Sequence, residues 1–331
     1  AMFGKDRSST DGTENWAGSR KEWQLIEKVV LGNTAELKKQ RRWGIFFKLL
    51  TFIYLFALLW LLLLGKSFKA DHIPDKTGGH TAVVEVRGVI ADGEMASADN
   101  VFASLQSALN HPDTRAVILR INSPGGSPVQ SSYIYNEVRR QRELHPDIPI
   151  NAVIADTGAS GAYYIAAGAE NIYANGASLV GSIGVTAASF GFEDLIDRLG
   201  IERREFTAGE HKAFLDPFQP VDPEERALFE TLLNDVHQQF IEDVRAGRGD
   251  RLDESNDKLF SGLVWTGDQA VELGLIDGIR STSELARDLG YPQLVDFSAH
   301  LTPLQKFARN LGVGIAQTLV KLGVTEQLQL R

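Results

Sequence analysis

The chain has 331 residues, 43% of them hydrophobic and 23% charged, which is enough to bury a full core and ordinary for a globular protein. It has no cysteine, so disulfides, thiolate metal sites and a cysteine nucleophile are excluded. The net charge of −9 is uneven, +4 over residues 1–65 and −13 over the remainder, and an acidic bulk of this kind argues against nucleic acid as a partner.

Residues 1–20 are polar and rich in Ser, Thr, Gly and Asp, a composition that predicts disorder. Residues 21–40 can form a short helix with Trp23, Ile26, Val29 and Val30 on one side, which closes an N-terminal segment over 1–42. Leu49–Leu64 is then free of charge and of glycine. Extended back to Trp43 it is long enough for the hydrocarbon core of a bilayer, with Lys48 snorkelling to the interface. Lys38, Lys39, Arg41 and Arg42 just before it predict a cytoplasmic N-terminus and export of everything after the span. A buried core helix fits the basic flank poorly, and a cleaved signal peptide lacks an A-x-A site after Leu64. The expectation is an uncleaved single-pass anchor over 43–65 and a linker over 66–80, where Pro74 and Gly78-Gly79 fall.

From residue 81 to 300 strand and helix patterns alternate. Ala82–Val86, Ala116–Ile121, Ile150–Ala155, Ile172–Ala174 and Ile201–Phe206 are strand candidates. Val101–Leu109, Val129–Leu144 and Ser160–Ala169 have helical texture. Pro223 suits a first helical turn, and Leu228, Leu232, Leu233, Val236, Phe240 and Val244 follow at helical spacing. The order implies an α/β layered fold with a largely parallel sheet. Leu304–Leu322, in a tail over 301–331, is a further amphipathic helix candidate.

Two segments suggest chemistry. Asn122-Ser123-Pro124-Gly125-Gly126 is a glycine turn directly after a buried strand, and in Ala159-Ser160-Gly161 a serine leaves a strand to open a helix. A serine at such a junction can present its hydroxyl at the carboxyl edge of the sheet, where a helix N-terminus offers free N–H groups and a positive dipole end. The N–H of Gly161 and one from the Gly125-Gly126 turn could together form an oxyanion hole. Either segment alone is equally a tight turn. Neither is a phosphate loop, because no GxxxxGKS or GxxxxGKT occurs. Nothing has metal-ligand or nucleotide-binding spacing, so neither metal nor cofactor is expected.

These two segments, followed by Gly181-Ser182-Ile183-Gly184-Val185, Gly209-Glu210-His211-Lys212 and Trp265-Thr266-Gly267-Asp268-Gln269-Ala270, stand in the order seen in signal peptide peptidase A. The resemblance covers about residues 81–290 and is to the short, single-domain bacterial form. It implies a ClpP/crotonase-like spiral fold and a serine endopeptidase with a Ser–Lys dyad. By resemblance Ser160 is the nucleophile, Lys212 the general base and Ser182 the residue that orients the lysine, with Gly126 and Gly161 as oxyanion-hole donors. Ala162 departs from the family, which commonly has a second glycine there. The resemblance further implies an inner-membrane protein with its catalytic domain outside the cytoplasm. Its substrates would be remnant signal peptides and other peptides, and its assembly a homo-oligomer, an octameric ring being one form, in which the serine of one subunit meets the lysine of its neighbour. A lysine amine with a pKa of about 10.4 cannot accept a proton at neutral pH unless burial disfavours its charge. Ala213, Phe214, Leu215, Pro217 and Phe218 are available as an apolar wall.

Three other readings compete. A Ser–His–Asp triad, as in ClpP, would need one of the seven histidines, and none follows the serine motif at a matching position; His211 is then an exposed neighbour of Lys212 and His237 a residue of the long helix. A crotonase-type acyl-CoA enzyme would use the glycine turn but gives Ser160 no role. A non-catalytic membrane scaffold would not need Ser160, Ser182 and Lys212 intact.

Overall fold

The computed structural model describes residues 24, 27–28, 42–60 and 78–300. The expected disordered N-terminus, the linker over 66–77 and the tail over 301–331 lie outside these residues, as do all but three positions of the short helix expected over 21–40; those three are helical. The chain divides into two compact units, Ala1–Pro74 and Asp75–Arg331.

The first unit contributes α1 (Arg42–Trp60), 19 residues with a mean hydropathy of 1.8 and exposed side chains throughout. Among the described residues it is the one helix long and apolar enough to cross a membrane. Residues 61–65 of the expected anchor lie outside the description.

The second unit is built on an eight-stranded mixed sheet. Its central strands are β1 (His80–Arg87), β2 (Thr114–Ser123) and β3 (Ile150–Ala159), all parallel. Such strands are covered on both faces and so read as nearly continuous apolar runs, as Val117-Ile118-Leu119 does. Between them run α2 (Ala98–Leu109) and α3 (Pro128–Leu144). Val84, Leu119 and Ile154 belong to the large core that also takes in Val101 and Leu105 of α2 and Ile134 and Val138 of α3. Ile118 and Val153, one residue out of phase, instead meet Leu285 and Ala286 of α8 (Thr282–Asp288). The period-two alternation of strand side chains thus divides the domain into layers.

Beyond β3 the sheet forks. The first half of β3 pairs with β4 (Ile172–Ala174), which pairs with β7 (Gly278–Ile279). The second half pairs with β5 (Leu179–Gly181), which pairs antiparallel with β6 (Val264–Thr266). The remaining strand, β8 (Leu294–Asp296), lies on the free edge of β1. Between β3 and β4 runs α4 (Gly161–Ala167), and the short α5 (Glu193–Arg198) follows β5. The long helix is α6 (Pro223–Arg248); Pro223 opens it, and the Asp222 carboxylate accepts from the N–H groups of Glu224 and Glu225. A capping box formed by Thr266 and Gln269 starts α7 (Gly267–Glu272).

The strand expected over Ile201–Phe206 is not formed. These residues have no ladder partner, and Phe206 is 93% exposed. The segment is read along its side chains instead: Glu202 pairs with Arg204, and Arg203 with Glu205 and Asp216. Four consecutive charged residues leave no apolar face for a sheet to bury.

One ion cluster ties the far end of α6 to the sheet. Arg248 is buried, donates to the Gly274 carbonyl and forms a two-pronged pair with Asp277. Asp277 also accepts from the Ile172 N–H of β4 and from Arg251. Burial alone would push the Asp277 carboxyl up; the Arg248 guanidinium, the Ile172 N–H and the Arg251 charge outweigh it and hold the group below the ordinary range. Because the folded value is depressed, this stabilisation is present above the unfolded carboxylate range and is lost as pH falls through the folded value. Arg248→Ala removes the two-pronged pair but leaves the half-buried Asp277 carboxylate with Arg251 and the Ile172 N–H, so it is expected to lower stability by about 1.5–3 kcal/mol in urea unfolding followed by circular dichroism.

Candidate active site

β2 and β3 end side by side, Ser123 opposite Gly158. Parallel strands bring both following turns to the same edge, so the glycine turn and the serine become neighbours. Ser160 caps α4 at φ 55, ψ −128, a region L side chains rarely enter. Its N–H donates to the Gly181 carbonyl at 2.8 Å, and its carbonyl accepts from Tyr164 at 3.0 Å. Against it lies Gly125, φ +101; a Cβ there would stand 2.8 Å from the Ser160 Cβ and 2.9 Å from the Gly161 nitrogen. The turn must be glycine for the serine to occupy this position.

Gly126 and Gly161 come together. A Cβ on Gly161 would lie 3.4 Å from the Gly126 nitrogen and 2.3 Å from the Ser131 hydroxyl. Gly126 is fixed by a bridge to Ile90, through Ile90 N–H to the Gly125 carbonyl and Ser127 N–H to the Ile90 carbonyl. Among the described residues, neither the Gly126 nor the Gly161 N–H donates a backbone bond in a turn or loop. Two free donors beside one hydroxyl are what a developing oxyanion requires.

Ser182 follows Gly181, which is paired to Ala159, so the two serines succeed residues in register. Ser182 is also left-handed, φ 52, and its N–H donates to the Leu263 carbonyl at 2.7 Å. Among the described residues only three non-glycine residues have positive φ: Ser160, Ser182 and Leu215. Such backbone costs about 1–3 kcal/mol per residue and collects where geometry serves function.

A cleft of about 580 Å³ opens over Ser160, Gly126 and Gly161. Its walls are mostly apolar, with Val129, Tyr133, Tyr164 and Phe240 prominent. Tyr164 stacks on Phe240 at 4.5 Å and donates its hydroxyl to Asp243; burial, then that carboxylate, push its phenol up, so the ring enters the cleft neutral.

Lys212 is not among the residues that line this cleft. It lies exposed in the turn that follows Gly209, its N–H on the Gly209 carbonyl at 3.2 Å. The apolar residues after it are engaged elsewhere, Phe214 on Phe229 and Phe218 on Phe192, and do not wall it in. Ala162 is fully buried in the core, where its methyl is accommodated. His211 is exposed. His237, by contrast, reaches the loop that carries Ser182: its Nε2 is 3.1 Å from the Ile183 carbonyl. Nothing in its helical spacing distinguishes it, because its partner lies 54 residues away.

An α/β domain holding a serine at a helix N-terminus, between two glycine turns and under an apolar cleft, defines a candidate nucleophile site. The profile described as Peptidase family S49 matches residues 142–291. A Synechocystis protein named as a protease is 33% identical over 206 residues, 62% of this chain and 71% of its own length. An Enterococcus faecium protein named as signal peptide peptidase SppA is 32% identical over 205 residues, 59% of this chain and 58% of its own. A Brucella melitensis protein named Na(+)/H(+) antiporter NhaA is 42% identical over 202 residues, 60% of this chain; the chain thus spans about a quarter of that protein, 27%. The chain belongs to peptidase family S49.

The crowding at Gly125 gives a direct test. Gly125→Ala places a methyl against Ser160 and the Gly161 nitrogen, and is expected to reduce peptide cleavage at least about 100-fold with an unchanged circular dichroism spectrum. Cleavage within about threefold of the unsubstituted protein would detach Ser160 from the turn.

Proposed function

We propose that this chain is a membrane-associated serine endopeptidase in which Ser160 is the nucleophile and Lys212, from a neighbouring subunit, the general base. The observation that carries the reading is the left-handed Ser160, held against Gly125 with the N–H groups of Gly126 and Gly161 beside it. A crotonase-type reaction would leave that strained serine without work.

In the proposed reaction the neutral amine of Lys212 takes the Ser160 hydroxyl proton as Oγ attacks the scissile carbonyl carbon. The carbonyl π-pair moves to oxygen, which Gly126 and Gly161 N–H groups stabilise. The intermediate collapses with cleavage of the C–N bond, and the lysine returns the proton to the departing amine. Water, deprotonated by the same amine, then hydrolyses the acyl-enzyme and regenerates Ser160. Ser182 orients the amine.

The exposure of Lys212 supports the shared arrangement. Burial under a neighbouring subunit would exclude water and disfavour the charged form of an amine. The same region is rich in uncovered apolar side chains: α5 buries no residue, and Phe190, Leu199, Phe206 and Val221 are exposed. Such a surface suits a boundary between copies of a homo-oligomer, a ring of eight among the forms open to it. The ClpP/crotonase spiral fold belongs to the same proposal, and the forked, largely parallel sheet supports it.

The substrate class follows from the cleft and α1. An apolar cleft in a domain tethered by a membrane span suits remnant signal peptides, whose central regions are apolar. The relatives named as proteases and as a signal peptide peptidase support this. The cluster of basic residues before α1 supports a cytoplasmic N-terminus and an exported catalytic domain at the inner membrane of a bacterium.

The test is complementation. Ser160→Ala and Lys212→Ala are each expected to abolish peptide hydrolysis. Unfolded and refolded together, they are expected to regain about a quarter of the activity, the share of sites that random mixing leaves with both residues intact. Mixed oligomers confirmed by mass but without activity would overturn the shared site.

A further inference from the structure

The loop Gly181–Gly184 carries Ser182, and most of what holds it comes from the sheet. Gly181 is in register with Ala159 on one side and Val264 on the other. The Ser182 N–H is bound to Leu263, and a Cβ on Gly184 would stand 2.9 Å from the Gly262 Cα. These contacts fix the chain up to the Ser182 nitrogen and again at Gly184. Between those points the Ile183 side chain is buried in the core. The Ile183 carbonyl, in the peptide that joins it to Gly184, is bound by His237 of α6, the one side-chain hydrogen bond to residues 181–185 among the described residues. A carbonyl only accepts, so Nε2 of His237 carries the proton.

We propose that His237 is a positioning residue: by donating to the Ile183 carbonyl it keeps Ser182 in the left-handed region, where its hydroxyl can orient the lysine. Without that donor the Ile183 carbonyl loses its partner, and the strain of φ 52 in a residue with a Cβ is then opposed by the Ser182 N–H bond to Leu263 and the burial of the Ile183 side chain alone. The same turn of α6 supplies Val236, Gln239 and Phe240 to the cleft. One stretch of helix therefore both walls the cleft and sets the geometry at Ser182. This rests on the Ser–Lys reading above.

The experiment measures kcat and KM on a fluorogenic peptide with the full chain in detergent. His237→Leu, similar in bulk but without a donor, is expected to lower kcat about tenfold while KM stays within about twofold, because positioning is lost and the cleft is not. His237→Gln, whose amide nitrogen falls near the place of Nε2, is expected to recover kcat to within about threefold of the unsubstituted protein. In a Ser182→Ala background the leucine substitution should cost little more, since both changes remove one function. Should the leucine chain fail to fold, His237→Asn, whose donor stops short of the carbonyl, takes its place. An unchanged kcat, no recovery with glutamine, or a full tenfold further loss in the Ser182→Ala background would each overturn the proposal. Ser160→Ala run alongside separates the two ideas: retained activity there would instead defeat the Ser–Lys reading itself.

Discussion

The site depends on a backbone constraint at one residue. Ser160 sits in a conformation that its Cβ disfavours, and three neighbours make that conformation the available one. Gly125 leaves the space its side chain occupies, the Gly181 carbonyl receives its N–H, and the first turn of α4 receives its carbonyl. The parallel register of β2 and β3 makes this possible, since it delivers the glycine turn and the serine to one edge. The strain is offset by the buried strands behind it, which have far more apolar contact than the turn has cost.

The second left-handed serine extends the same logic. Ser182 is placed by β5, and β5 exists because β3 is long enough to hold β4 along its first half and β5 along its second. The fork in the sheet thus brings two strained serines together. Lys212 is different in kind: it lies on an exposed turn, after a stretch whose apolar side chains face outward. A single subunit holds the proposed nucleophile and proposed oxyanion donors together but leaves the proposed base exposed, and in the proposed reading assembly completes the site.

Much of the candidate site's geometry was legible because its signals are local. Glycines after a buried strand and a serine before a small-residue helix announce themselves within a few residues, and Pro223 with its apolar period marks α6. The central strands could be read from their continuous apolar runs. What escaped was non-local. β5, β6 and β7 have two or three residues each, too few for a period, and exist through their partners. The expectation of a strand over Ile201–Phe206 mistook β-branched and aromatic ends for a strand, although the charged middle has no sheet to join. Arg248, paired with Asp277 29 residues away, and His237, bonded across 54, carry no mark in their immediate sequence.

The central claim is that Ser160, and no other hydroxyl, is the nucleophile made reactive by this geometry. The direct measurement is to treat the full chain with a fluorophosphonate, digest it and locate the adduct by mass spectrometry. The account predicts a single phosphonylated residue, Ser160, and no adduct once the protein is denatured before treatment. An adduct on Ser182 or on another serine, or none on the native protein that cleaves peptides, would contradict it.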